Sequence, residues 1–193
     1  MPRTTIHFLA AYKVNPNAGI DFHVGNIAPD TIRNENQKIS FHFRDVTDRQ
    51  QALNEFALKV NSQNEYLKGI ILHLFVDWKW DTTILPQFVE KHGDNWKQKY
   101  DEETLLVAIY AFRSNEWICE ILKQMEVWDT SGYVETDYIT AKEIGYFVKG
   151  WRKGLQSSKQ REISTEFSPP VIERFMNDTI QEFKEWYSSL IFI

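Results

Sequence analysis

Apolar residues recur at intervals of three and four along most of the chain, the spacing that places them on one face of a helix. Leu53, Phe56, Ala57 and Val60 form one such stripe, while Asn54, Glu55 and Lys59 take the other face. Thr47 and Gln50 have the spacing of a capping box at its start. The next segment is apolar nearly all round. Leu67, Ile70, Ile71, Leu72, Leu74 and Phe75 predict a central, buried helix from about residue 65, running to about Asp81 before Pro86 disturbs the pattern. Gly93 marks a stop. Residues 101–128 carry the stripe Leu105, Ile109, Phe112, Ile118, Ile121, Leu122 and Met125, which reads as one long helix or two abutting ones. Thr140 and Glu143 make a second capping box, opening a helix through Ile144, Phe147, Val148, Trp151 and Leu155 that should stop near Gly154. Ser168 and Pro169 open a closing helix through Ile172, Phe175, Thr179, Phe183, Trp186 and Leu190. The polar stretches 156–166 and 129–137 read as loops, and a short extended stretch is expected near residues 15–24. No repeat, low-complexity segment or linker interrupts this succession. The expectation is an all-α, single-domain helical bundle over residues 1–193.

Composition narrows the function without naming it. Of 193 residues, 42% are apolar and 25% charged, which excludes a disordered or fibrous chain. The one cysteine, Cys119, excludes an internal disulfide framework and a cysteine-based zinc site, and its place beside Ile118 and Ile121 reads as an inert, packed thiol. The net charge is −5 and the basic residues are not gathered into an arm, so no stable nucleic-acid complex is expected. The cluster Lys149, Arg152, Lys153, Lys159 and Arg161 reads as a solvated helix end. The most hydrophobic stretches, 69–76 and 105–112, fall short of the ~20 residues that cross a bilayer. No signal-peptide core stands in the first residues, so the expected compartment is the cytoplasm. Aromatic residues reach 15%, including seven Trp, and that many rings must mostly be core, with any surplus lining a pocket. A Gly-x-Ser-x-Gly elbow, a Gly-rich phosphate loop and a dinucleotide fingerprint are all absent from the sequence.

The chemistry concentrates in three places. His73, Asp77 and Asp81 are spaced by four, so on a helix they form one polar column within the most apolar segment of the chain. A buried carboxylate beside a buried imidazole is costly unless paired. Two readings follow: a divalent cation partners both, or a His–Asp hydrogen bond stabilises the core or a partly exposed helix edge. The turn Gly25-Asn26-Ile27-Ala28-Pro29-Asp30 delivers a carboxylate at a fixed angle, or simply an Asp that caps a helix. In Phe41-His42-Phe43-Arg44-Asp45 a histidine stands between two aromatics, as a ligand or as a packed imidazole. Asp30, His42, His73 and Asp77 together make a nitrogen and oxygen set suited to Zn²⁺, Fe or Mn²⁺.

The order Gly-Asn-x-Ala-Pro-Asp, then an aromatic-His-Phe element, then Gly-x-x-x-His-x-x-x-Asp (Gly69, His73, Asp77) resembles the zinc-dependent phospholipase C family and its relatives, the single-strand-specific S1/P1-type nucleases. The resemblance covers roughly residues 5–92. It implies a helical bundle with a metal cluster in a cleft at one end, with Asp30, His42, His73 and Asp77 as ligands of one metal, Asp77 bridging to a second, and His7 on that second metal. The chain departs from the pattern elsewhere. It begins Met1-Pro2-Arg3 where secreted members present an amino-terminal Trp, Thr83 stands where a further His is expected, and no histidine follows His92. A mono- or dinuclear site is therefore expected, with Asp81 and His92 as further candidates and His23 read as packing.

What resemblance and chemistry jointly imply is metal-assisted hydrolysis of a small phosphoester or a phospholipid head group. Asp77 and Asp45 are the candidate catalytic carboxylates, with Asp81 a further general-base candidate and Arg44 a candidate phosphate clamp. Trp78 and Trp80 flank the column as candidate cleft walls. The competing class is a non-catalytic all-α protein whose His/Asp site is structural or serves an interaction module.

Overall fold

The structure, a computed structural model, describes residues 3–60 and 63–191. Among these residues it is all-α, and the extended backbone pairs at one isolated bridge, Thr136 with Ile139. The elements are α1 (Thr4–Val14), α2 (Ile20–Ile27), a 3-10 turn (Ala28–Thr31), α3 (Glu35–Phe41), α4 (Arg49–Lys59), α5 (Glu65–Thr83), α6 (Leu85–His92), α7 (Trp96–Ser114), α8 (Glu116–Glu126), α9 (Ala141–Ser157) and α10 (Pro169–Ile191).

α5 is the axis of the fold, as its all-round apolar sequence predicts. Asn64 caps it by accepting a hydrogen bond from the Leu67 amide at 2.9 Å, and residues from Tyr66 to Trp80 bury nearly every side. α2 lies closest to it. A Cβ on Gly25 would collide with the Tyr66 carbonyl, and one on Gly69 with the Phe22 carbonyl, so the two helices meet backbone to backbone because both contact positions are glycine. Asn26 fastens the crossing by donating to the Gly69 carbonyl at 3.3 Å.

Several expectations are corrected by the structure. The extended stretch near residues 15–24 is a turn followed by α2, with Phe22, His23 and Val24 buried in a helix. α4 is capped by Asp48, which accepts from the Gln51 amide at 2.9 Å, rather than by Thr47 one residue earlier. The stretch read as one helix or two is two, α7 and α8, broken at Asn115, whose backbone is extended; α7 also begins earlier, at Trp96. α9 runs past Gly154 to Ser157. The Thr140 cap forms, with its hydroxyl accepting from the Glu143 amide at 3.2 Å. Trp80 does not line a cleft: it is fully buried against Phe167 and Phe175, while Trp78 packs on Phe75. None of the helices in the described residues is long and apolar enough to cross a membrane.

Candidate metal centre

Five residues singled out in the sequence converge beside α5. His73 and Asp77 come from the middle of that helix, His7 from α1, His42 from the residue that ends α3, and Asp30 from the 3-10 turn after α2. His7, His42, His73 and Asp77 are all 0% exposed. Ligand atoms of His42, His73 and Asp77 lie within 4.8 Å of one another, and so do those of His7, Asp30 and His73. These buried groups can hold a metal ion.

The orientation of the imidazoles follows from helix ends. The last carbonyls of a helix lack intrahelical partners. The Asn26 carbonyl near the end of α2 lies 2.7 Å from His73 Nδ1, and the Lys38 carbonyl in α3, which also accepts from the His42 backbone amide at 3.1 Å, lies 2.7 Å from His42 Nδ1. A carbonyl has no proton to give, so each ring carries its proton on Nδ1 and presents a bare lone pair at Nε2. Those two Nε2 atoms face each other at 3.0 Å. Burial pushes the pKa of His73 well below its usual value, and burial also lowers His42 despite the opposing pull of Asp77 and Asp30. Both rings are therefore neutral near pH 7, and no proton lies between the two nitrogens to make a hydrogen bond of their contact.

Further atoms in the cluster lack partners. Both ring nitrogens of His7 and Oδ1 of Asp77 are buried without a hydrogen bond, although His7 Nε2 lies 3.2 Å from Asp77 Oδ1, and the His7 ring stacks on His73 with centroids 3.6 Å apart. Leaving such groups unpaired costs roughly 1–3 kcal/mol each. The carboxylates are better provided for. Asp30 accepts from the Thr4 hydroxyl at 2.7 Å and pairs with Lys38 at 3.3 Å. Burial alone would raise its pKa, and the charges around it, His73 when protonated, Lys38 and His7, hold it below the ordinary range instead. Asp77 accepts from Arg44 Nη2 at 3.1 Å; burial again opposes ionisation, and the contacts with His7, His42 and His73 outweigh it. With His42 and His73 neutral, Arg44 is a standing cation on Asp77.

Other candidates fall outside the cluster. Asp81 is held by Arg44 and Arg49 rather than aimed at the histidines. Asp45 is exposed, two residues beyond Phe43. His92 sits at the end of α6 against Glu166, and His23 packs between Phe8 and Phe22, where burial lowers its pKa to about 4. Cys119 is half-buried. Arg44 proves to be an ion-pair partner of the α5 carboxylates, brought there by a left-handed turn at Phe43 (φ 55°), a conformation uncommon for a bulky residue. Sequence reasoning missed Thr4 and Arg49, which reach Asp30 and Asp77 from distant parts of the chain, and Lys38, which pairs with Asp30 only eight residues away. It also missed the two carbonyls that aim the imidazoles. Lys38, four residues before His42, is the one for which helical spacing offered a signal.

A cleft of about 910 Å³ reaches the cluster at Asp30 and Thr4, and its walls include Arg3, Lys38, Trp96 and Trp151. Comparison of the chain with protein-family models, with curated proteins and with solved structures finds no match.

Proposed function

We propose that the protein is a metal-dependent hydrolase of phosphoester substrates, with His7, Asp30, His42, His73 and Asp77 as the residues that hold the cation. Zinc suits this nitrogen and oxygen set best, with Fe or Mn²⁺ as alternatives. The observation that carries the reading is the pair of Nε2 lone pairs facing each other at 3.0 Å with both protons committed to backbone carbonyls. A cation held by both nitrogens would turn a repulsive contact into two bonds. When bound, such an ion supplies Lewis acidity to a phosphoryl oxygen and lowers the pKa of a water towards ~7.

The chain's own residues supply the rest. Carbonyls of Asn26 and Lys38 fix the tautomer and the angle of the two imidazoles. Asp77 Oδ1, which has no hydrogen bond, is the acceptor nearest His7 and the one we assign to proton handling. Arg3 and Lys38 line the cleft that reaches Asp30, where cations can meet phosphate oxygens, and Trp96 and Trp151 add apolar lining to it. Asp45, exposed and outside the cluster, is given no role. A bundle of the phospholipase C and S1/P1 nuclease type, and a cytoplasmic setting, would accord with this reading.

A second reading has its own observation. Lys38 and Arg44 already balance Asp30 and Asp77, which is the arrangement a purely structural, non-catalytic His/Asp site would show. Elemental analysis of the purified chain together with hydrolysis of bis-(4-nitrophenyl) phosphate separates the two. The hydrolase reading expects retained transition metal and turnover, both lost in His73→Ala. Ion retained without turnover supports the structural site, and turnover that survives His73→Ala overturns the proposal.

A further inference from the structure

Asp77 and Asp81 stand one turn apart on the same face of α5, the disposition in which two carboxylates bridge a cation. Two guanidinium groups occupy that position. Arg44 Nη2 lies 3.1 Å from Asp77 Oδ2 and 2.6 Å from Asp81 Oδ2, spanning both carboxylates with one nitrogen. Arg49 Nη1 lies 2.7 Å from Asp81 Oδ2, and its Nη2, 4.0 Å from Asp77 Oδ2, is buried without a hydrogen bond. Together they carry two positive charges, the charge of one divalent cation, and neither can lose its proton. Their side chains are 21% and 13% exposed, so an incoming ion would have to expel both from a largely enclosed position.

A second, independent observation concerns His73. It belongs to both groups of ligand atoms, with His7 and Asp30 on one side and His42 and Asp77 on the other. Its Nδ1 proton is given to the Asn26 carbonyl, so Nε2 is its single ligating atom and serves one ion. The two groups cannot both be filled with His73 in each.

We propose that the centre is built for one cation, and that Arg44 and Arg49 form a fixed guanidinium pair in the place where a second cation would bridge Asp77 and Asp81. The inference rests on the metal reading above and deepens it by setting the number of ions. It makes the arginines structural counter-charges rather than groups free to clamp substrate, and makes ion uptake a single-site event.

The test is a count of ions. The ion-free full-length chain is titrated with Zn²⁺ or Mn²⁺ by calorimetry, and the metal retained after gel filtration is measured by elemental analysis. The wild-type chain should take one equivalent with a single-site isotherm. The double variant Arg44→Met/Arg49→Met, which exposes two carboxylates to each other, should rise to two equivalents, while Arg44→Lys, which keeps the charge, should stay at one. Two equivalents in the wild-type chain, one in the folded double variant, or two in Arg44→Lys would each overturn the guanidinium assignment and leave the metal reading standing. No uptake by the wild-type chain would overturn the metal reading and this inference with it. The wild-type count needs no substitution, so it decides the matter even where the double variant fails to fold.

Discussion

Glu103 in α7 and Asp77 in α5 are both buried carboxylates on long helices, and the protein treats them in opposite ways. Glu103 is 3% exposed and fully engaged: it accepts from the Ser164 hydroxyl at 2.6 Å and from the amides of Thr165 and Glu166 at 3.0 and 3.3 Å, and pairs with Lys99 at 2.9 Å. It thereby ties the loop before α10 to α7 with no further partner needed. Around Asp77, the same chain leaves a carboxylate oxygen, both nitrogens of His7 and two facing imidazole lone pairs unprovided for. Proteins satisfy the great majority of their buried polar groups. On the reading proposed above, a bound cation would complete the second knot, and the contrast points to this cluster more sharply than the burial of His73 or Asp77 alone.

The strongest way to break this comparison is to add and remove the cation while watching stability. A ligand that binds only the folded state stabilises it by about 2.7 kcal/mol at a hundred times its Kd. The unfolding free energy of the wild-type chain, measured by urea titration, should therefore rise by that amount between chelator and Zn²⁺ at a hundred times its Kd, and that of His73→Ala should not move. An equal shift in both proteins would mean that zinc acts elsewhere, and the open knot would need another explanation.

A smaller effect is expected where the backbones of α2 and α5 meet. Gly69→Ala places a methyl group against the Phe22 carbonyl and the Asn26 amide, and overpacking of this kind costs typically 1–3 kcal/mol. The same displacement carries the Asn26 carbonyl away from His73 Nδ1, so metal affinity should fall by the 10–100-fold typical of a lost outer partner. The Glu103 knot, whose partners lie in α7 and the 164–166 loop rather than in α2 or α5, should keep its pH response. Loss of stability with unchanged metal affinity would show that this carbonyl does not aim the imidazole.

The unequal legibility of the two halves has the same physical root. Of the helices after α3, α4, α8 and α9 are amphipathic, and their stripes were readable: Leu53 and Ala57, Ile118, Leu122 and Met125, Ile144 and Val148 all face the core. α1 and α2 show no stripe because they are enclosed on several sides; Ile6, His7, Phe8 and Ala10 are all buried, as are Phe22, His23, Val24 and Asn26. α3 has no buried residue at all and therefore no pattern. Asp48 displaced Thr47 as a cap because both residue types cap well and spacing cannot choose between neighbours. At the site, His73 and Asp77 were legible because polar residues interrupt an apolar helix, and Asp30 and His42 because of the motifs around them. Arg49 and Thr4 were not, since what gives them meaning is a contact with a residue far along the chain.

The least disruptive probe acts on the completed knot and serves as the control for the open one. Burial alone would raise the Glu103 carboxyl, but the hydrogen bonds from Ser164 and Glu166 and the Lys99 ammonium bring it down from 4.5 to about 2. Because the folded-state pKa lies below the unfolded one, the carboxylate's contribution is complete above about pH 4.5 and is lost progressively as the pH falls towards 2. Glu103→Gln keeps the shape and one carbonyl acceptor while removing the charge. At pH 6 the variant should be less stable by about 1.5 kcal/mol, the lower end for hydrogen bonds to a charged group. Urea unfolding at pH 3 should show that gap markedly narrowed, because the wild-type chain then gives up part of the same contribution. A gap that stays constant between the two pH values would mean that shape rather than charge holds the 164–166 loop. Glu103 would then no longer be the satisfied carboxylate against which Asp77 is compared.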